Sequence, residues 1–167
     1  MATNLEFKAR CESLEALRPG LEKLKAMHRE TVHQVDTYFQ APKGRLKLRE
    51  LAETDEGWLI YYERPNQPES RYSQYQLCEI ADCTALKTLL TAALGIKTVV
   101  EKRREIWMFH NTRIHLDIVS HLGQFVELET IFQGQTDAEA VKEHQHVKTS
   151  LNLDAAEPIA SSYSELS

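Results

Sequence analysis

Three cations stand at alternate positions in "GRLKLRE" (residues 44–50): Arg45, Lys47 and Arg49, separated by Leu46 and Leu48. Successive side chains of a β-strand point to opposite faces, so this spacing puts the charges on one face and the leucines on the other. The same parity recurs along the chain. Glu6, Lys8 and Arg10 alternate with Leu5, Phe7 and Ala9, and Arg71 shares its face with Ser73 and Tyr75. Lys102 and Arg104 share theirs with Val100, Ile106 and Met108, while Arg113, His115 and Asp117 alternate with Ile114, Leu116 and Ile118. Glu127 and Glu129 form an ExE pair in "QFVELE". If every charged face turns inward, nine of the chain's 20 Lys/Arg meet in one place.

Burying that many like charges without partners would exceed the stability of a domain, roughly 5–15 kcal/mol, many times over. The face must therefore be wet and must carry counter-charge. Lys and Arg suit phosphate oxygens, which points to a bound polyanion. Glu127 and Glu129 offer hard oxygen ligands for Mg²⁺ or Mn²⁺, the ions that accompany polyphosphates, and Glu6 and Asp117 are placed to complete such a site. A single-strand nucleic-acid barrel is the competing use of a basic wall with aromatics. The net charge of −5 and the ExE pair argue against it.

The elements that must position these residues are mostly strands. Alternation or β-rich composition predicts strands over 4–10, 34–39, 44–50, 57–65, 71–77, 98–109, 113–119 and 124–132. Pro42 and Gly44 punctuate one turn, and "HNT" (110–112) another. Leucines at helical spacing predict a helix over 13–28, divided near Pro19-Gly20. Two more helices are expected over 84–94, closed by Gly95, and over 136–150, capped by Thr136 or Asp137. The tail from Glu157 shows little periodicity. Eight strands with hairpin connections predict an α+β fold: a closed antiparallel barrel with charges inside, and helices covering an apolar exterior that includes Leu5, Phe7, Leu46, Leu48, Ile114, Leu116 and Ile118. The 167 residues read as one domain, 1–167. Three cysteines lack zinc or redox spacing, no apolar run reaches the ~18 residues of a membrane span, and no leader is visible, so the expected location is the cytoplasm.

In order along the chain, "NLEFKAR", "DTYF", "GRLKLRE", "LIYYERP", "RYSQY", "VVEKRR", "TRIHLD", "LGQFVELE" and "SYSEL" resemble the CYTH superfamily of triphosphate tunnel enzymes. The likeness is greatest to its class IV adenylate cyclase-like branch. It implies an eight-stranded tunnel in which Lys8, Arg45, Lys47, Arg49, Arg71, Lys102, Arg104 and Arg113 hold a triphosphate, and Glu6, Asp117, Glu127 and Glu129 hold Mg²⁺ or Mn²⁺. The implied substrates are ATP, tripolyphosphate or thiamine triphosphate, and the implied reactions hydrolysis or cyclisation. Lys8 is read both as a candidate general base and as a further phosphate clamp. A homodimer is compatible with the pattern, and a membrane partner is not expected. Two positions depart from the family: Asn4 replaces the first Glu of the ExExK signature, and "YYERP" has Glu63 and Arg64 where many members carry a Lys two residues before the proline. These departures favour an alternative, a nucleotide- or polyphosphate-binding protein with weak catalysis.

Overall fold

The computed structural model describes residues 2–63 and 71–166, the Arg71 side chain excepted. Eight strands form a closed antiparallel barrel: β1 (Ala2–Cys11), β2 (Met27–Phe39), β3 (Arg45–Leu51), β4 (Gly57–Glu63), β5 (Arg71–Ile80), β6 (Ile96–Phe109), β7 (Thr112–Val119) and β8 (Gly123–Ile131). Their order around the wall is β1-β5-β4-β3-β2-β6-β7-β8, and β8 returns to pair with β1. Closure leaves no free sheet edge and gives every strand an inside and an outside.

The outer face is apolar and roofed by helices, as the leucine spacing predicts. Phe7, Ala9, Ile114, Leu116, Val126 and Leu128 pack beneath a 3-10 turn (Leu14–Leu17), α1 (Arg18–Leu24) and α3 (Asp137–Ser150). Gly20 permits this contact, since a Cβ there would lie 2.5 Å from the Ser150 carbonyl oxygen. On the other side α2 (Cys83–Leu94) covers Phe39 and Leu48, with Leu46 and Leu59 partly buried beside them. Asp82 caps α2 by accepting from the Ala85 amide, and Thr136 with Glu139 builds a reciprocal capping box on α3. Ile118 is the exception among the expected outer residues: it is 44% exposed.

The structure corrects two element assignments. β2 begins at Met27, seven residues before the predicted start, so the helix expected over 13–28 is shorter and ends at Leu24. The early half of β2 is mostly exposed, so no apolar face reveals it in the sequence. A short C-terminal helix, α4 (Tyr163–Leu166), also forms in the tail that lacked periodicity.

Behind β7 and β8, His144 of α3 is almost fully buried. Its Nδ1 lies 2.9 Å from Thr130 Oγ1, which contacts Thr112 Oγ1 at 2.8 Å, and Thr112 donates to Glu143 at 2.7 Å. Burial, aided by nearby Lys148, pushes the His144 pKa down to about 4. The folded state thus favours the neutral ring, while the unfolded chain takes up the proton near pH 6.5. This contribution to stability is intact above about pH 6.5 and declines as the pH falls toward 4. Between pH 7 and 5 the loss should be about 2 kcal/mol, read as a drop in urea-unfolding free energy. His144→Gln should flatten that drop; an unchanged drop would assign it to other groups.

Candidate active site: a charged tunnel

The inner face is charged because the parity holds on β1, β3, β6, β7 and β8. A cavity of about 470 Å³ runs inside the barrel, lined by Lys8, Lys47, Arg49, Lys102, Arg104 and Arg113 and by Glu6, Glu127 and Glu129. Cross-strand register brings them together: Lys8 pairs with Glu127 and Glu6 with Glu129 between β1 and β8, and His115 with Glu127 and Arg113 with Glu129 between β7 and β8.

Three ion-pair groups organise the wall. In the first, Asp36 of β2 gathers three cations. Arg49 Nε and Nη2 donate to its two oxygens at 2.8 and 2.7 Å, Lys102 Nζ lies at 2.8 Å and Lys47 Nζ at 3.3 Å. Asp36 is 1% exposed. Burial alone would raise its pKa, but Arg49, Lys102 and Lys47 outweigh burial and hold it well below the usual carboxylate range. Lys102 is driven the other way: burial, Arg49, Arg104 and Lys47 push its pKa well down, against the pull of Asp36.

In the second group Arg104 is held bidentately by Asp117, both bonds at 2.7 Å, and Tyr163 of α4 donates its hydroxyl to the same carboxylate at 2.7 Å. Burial opposes ionisation of Asp117, yet the contact with Arg104 keeps its pKa below the ordinary value. Asp117, expected as a metal ligand, therefore has both oxygens engaged and stands behind Arg104 instead of lining the cavity.

The third group is a candidate metal centre. One ligand atom each from His115, Glu127 and Glu129 lies within 4.8 Å of the others. Glu127 Oε2 is 3.4 Å from Lys8 Nζ and 3.8 Å from Arg104 Nη2, and its Oε1 is 3.6 Å from His115 Nδ1. Arg113 Nη2 donates to Glu129 at 2.8 Å. The His115 Nδ1 and the Asn4 Oδ1 are buried and make no hydrogen bond. Buried polar atoms are normally satisfied, so these two fit a group that accepts nitrogen and oxygen donors, as a divalent ion does. Glu6 lines the cavity beside Glu129 in register but does not join the three-residue cluster.

Among the described residues the tunnel has one open end. Leu77, Arg29 and Glu30, at one rim, are exposed. Opposite, Phe125, Val119, Tyr163, Tyr38 and Tyr62 form a buried apolar plug. The C-terminal segment seals that end: the Ile159 amide donates to the Lys8 carbonyl at 2.8 Å, Lys8 Nζ sits 4.0 Å above the Tyr163 ring, and Arg45 Nη2 contacts Glu165 at 2.6 Å. Arg45 thus stands at the plug rather than in the cavity lining. Arg10, of the same inner parity, lies exposed at that end and donates to the Leu122 carbonyl.

Of the eight predicted triphosphate-holding residues, six line the cavity, Arg45 sits at its closed end, and the Arg71 side chain lies outside the described residues, as does Arg64 of the departing "YYERP" motif. Glu63 requires a correction. It points out of the barrel, where it accepts from Tyr61 and pairs with Lys43 at 3.1 Å, so it does not occupy the inner position of a family lysine. The inward residues of β4 are Trp58, Ile60 and Tyr62. Sequence reasoning missed Asp36 and Tyr163. The first shares the parity of Tyr38 within "QVDTYF", a signal too slight for a lone carboxylate.

Comparison with known proteins agrees with this construction. The chain matches the PH1012 protein of Pyrococcus horikoshii at 24% identity over 98% of both chains, with a TM-score of 0.85. It matches a candidate adenylate cyclase of Vibrio parahaemolyticus at 17% identity, over 98% of this chain and 96% of that one, with a TM-score of 0.76. A Hippeastrum protein, first proposed as an adenylyl cyclase and described as having a dominant triphosphatase activity, matches at 12% identity and TM-score 0.64, over 96% of this chain and 91% of that one. At these identities the likeness is one of fold. No curated protein matches. Among the described helices none is long and apolar enough to cross a membrane. The CYTH domain model, however, matches residues 2–163, from the first strand to the tyrosine that closes the tunnel. The chain belongs to the CYTH domain family.

Proposed function

We propose that this protein is a metal-dependent enzyme that binds a triphosphate in the tunnel and acts at one of its phosphoanhydride bonds. The observation that carries this reading is the convergence of six Lys/Arg inside a closed-ended cavity, with Arg29 and Glu30 at its rim, whose wall also holds the His115, Glu127 and Glu129 cluster. Those six cations face five carboxylates, Glu6, Asp36, Asp117, Glu127 and Glu129. The wall alone is therefore close to neutral, and a tetra-anionic triphosphate is balanced best when a divalent cation accompanies it. His115, Glu127 and Glu129 would hold that ion, with Asn4 offering a neutral oxygen. When bound, Mg²⁺ or Mn²⁺ would neutralise charge on the substrate's phosphate oxygens.

The chain's own residues do the rest. Arg49, Lys47 and Lys102, prearranged around Asp36, present donors in fixed positions, as a loose phosphoryl-transfer transition state requires. Arg104 is locked by Asp117 and Tyr163 and cannot swing away. Lys8, beside Glu127 and over the Tyr163 ring, serves as a further phosphate clamp. Arg113 closes the clamp nearer the mouth. The same grip serves water attack, giving hydrolysis, and attack by a substrate hydroxyl, giving cyclisation. Asn4 favours a second reading, a binder with weak turnover, because an amide oxygen holds a hard cation less well than a carboxylate.

Arg49→Ala tests the clamp. Metal-free calorimetric titration with tripolyphosphate should show about 10- to 100-fold weaker binding, the loss of a charge-assisted contact. Lys142→Ala, on the exposed face of α3, should bind as the parent does. Equal effects at the two positions would place the anion outside the tunnel.

A further inference from the structure

One cation enters the tunnel against the alternation of its strand. Glu30, Gln34 and Tyr38, at even positions of β2, line the cavity. Unbroken alternation would turn Arg29 outward and His28 inward. The pairing of β2 with β6 breaks at this point: His28 stands opposite Trp107 and Glu30 opposite Ile106, so Arg29 is the extra residue of a β-bulge. His28 accordingly faces out, its ring edge-on to Trp107 at 5.0 Å, and Trp107 packs against the outer core. Arg29 is thereby re-aimed and joins Glu30 in the cavity lining. Bulges of this kind re-aim side chains beside active sites.

Arg29 also differs from the other lining cations in what holds it. Lys8 is paired with Glu127, Arg104 with Asp117 and Arg113 with Glu129, while Lys47, Arg49 and Lys102 share Asp36. Arg29 is exposed, and among the described residues it has no hydrogen bond or ion pair. No carboxylate has to release it before it moves. Register also places it usefully: Ile106, across from Glu30, stands opposite His115, which stands opposite Glu127. The candidate metal centre thus begins two strands away, roughly 10 Å. An anion seated at that centre lies between it and Arg29.

We propose that Arg29 is a seventh contact of the triphosphate, turned into the tunnel by the bulge and left without a carboxylate partner so that it folds over the anion seated among the six paired cations. Its planar fork suits two phosphate oxygens at once. This inference rests on the triphosphate reading of the tunnel and adds a substrate-binding residue that the charge pattern of the strands does not predict.

Metal-free calorimetric titration with inorganic tripolyphosphate tests it. Arg29→Ala should weaken binding about 10- to 100-fold, the loss of one charge-assisted contact. Arg29→Lys, which keeps the charge without the fork, should fall between that variant and the parent. Arg103→Ala removes the same charge from an exposed position on the outer face of β6, and should bind as the parent does. If the parent binds tripolyphosphate and Arg29→Ala binds it equally well, the role of Arg29 is wrong and the triphosphate reading stands. Equal losses in Arg29→Ala and Arg103→Ala would assign the effect to net charge, which also overturns the contact. If the parent itself fails to bind, the triphosphate reading fails and the role of Arg29 with it.

Discussion

Asp36→Ala should destabilise the protein by about 3–5 kcal/mol, the loss expected when one partner of a buried ion-pair network is removed. Arg49, Lys102 and Lys47 would then face one another with no carboxylate between them, and Lys102 is 1% exposed. A more specific consequence follows from what Asp36 does. It holds three cations at positions suited to phosphate oxygens, so an added polyanion can replace part of its charge. Saturating tripolyphosphate should raise the melting temperature of Asp36→Ala by more degrees than that of the parent, since a ligand at a hundred times its Kd contributes about 2.7 kcal/mol and its Kd falls in the variant. A smaller thermal shift in the variant than in the parent would mean that the anion does not meet these three cations.

Glu127→Gln should lower turnover by about 100- to 1,000-fold, the range seen when one preorganised charged contact to a transition state is lost. Glu127 is the junction of the site: Lys8, Arg104 and His115 all lie within 3.8 Å of its oxygens. Burial would raise its pKa, but Lys8, His115 and Arg104 outweigh burial and hold it well below the usual range, so it is a carboxylate in the folded protein. Removing that charge has opposite effects on two measurements. Metal-dependent turnover should collapse, whereas metal-free binding of tripolyphosphate should tighten severalfold, because Lys8 and Arg104 lose a competing anion. Weaker metal-free binding together with unchanged turnover would show that Glu127 only supports the wall.

Much of this site is legible in the sequence because β geometry is periodic. Charges at alternate positions within β1, β3, β6, β7 and β8 define one face, and the helices' leucines define the cover for the other. What stays hidden depends on relations between strands. Asp36 becomes a hub only because β2 pairs with β3 in the register that sets it against Arg49. Asp117 is drawn from metal to guanidinium because Arg104 lies opposite it on β6. Glu63 falls outside the barrel because Tyr62 takes the inner parity of β4, a choice its run of aromatic and aliphatic residues does not announce. Tyr163 reaches the tunnel from a tail with no repeating pattern, anchored by the backbone contacts of Ile159 with Lys8 and of Pro158 with Ala9.

The central claim is that the tunnel performs chemistry on a triphosphate, and a phosphorus NMR time course tests it most directly. Purified protein would be incubated with ATP or tripolyphosphate, with and without Mg²⁺. The expected result is metal-dependent loss of the triphosphate resonances and growth of orthophosphate or pyrophosphate, with cyclic AMP accompanying pyrophosphate if the substrate's own hydroxyl attacks. Resonances that shift or broaden on binding but persist unchanged in intensity would contradict it, leaving a triphosphate-binding barrel without turnover.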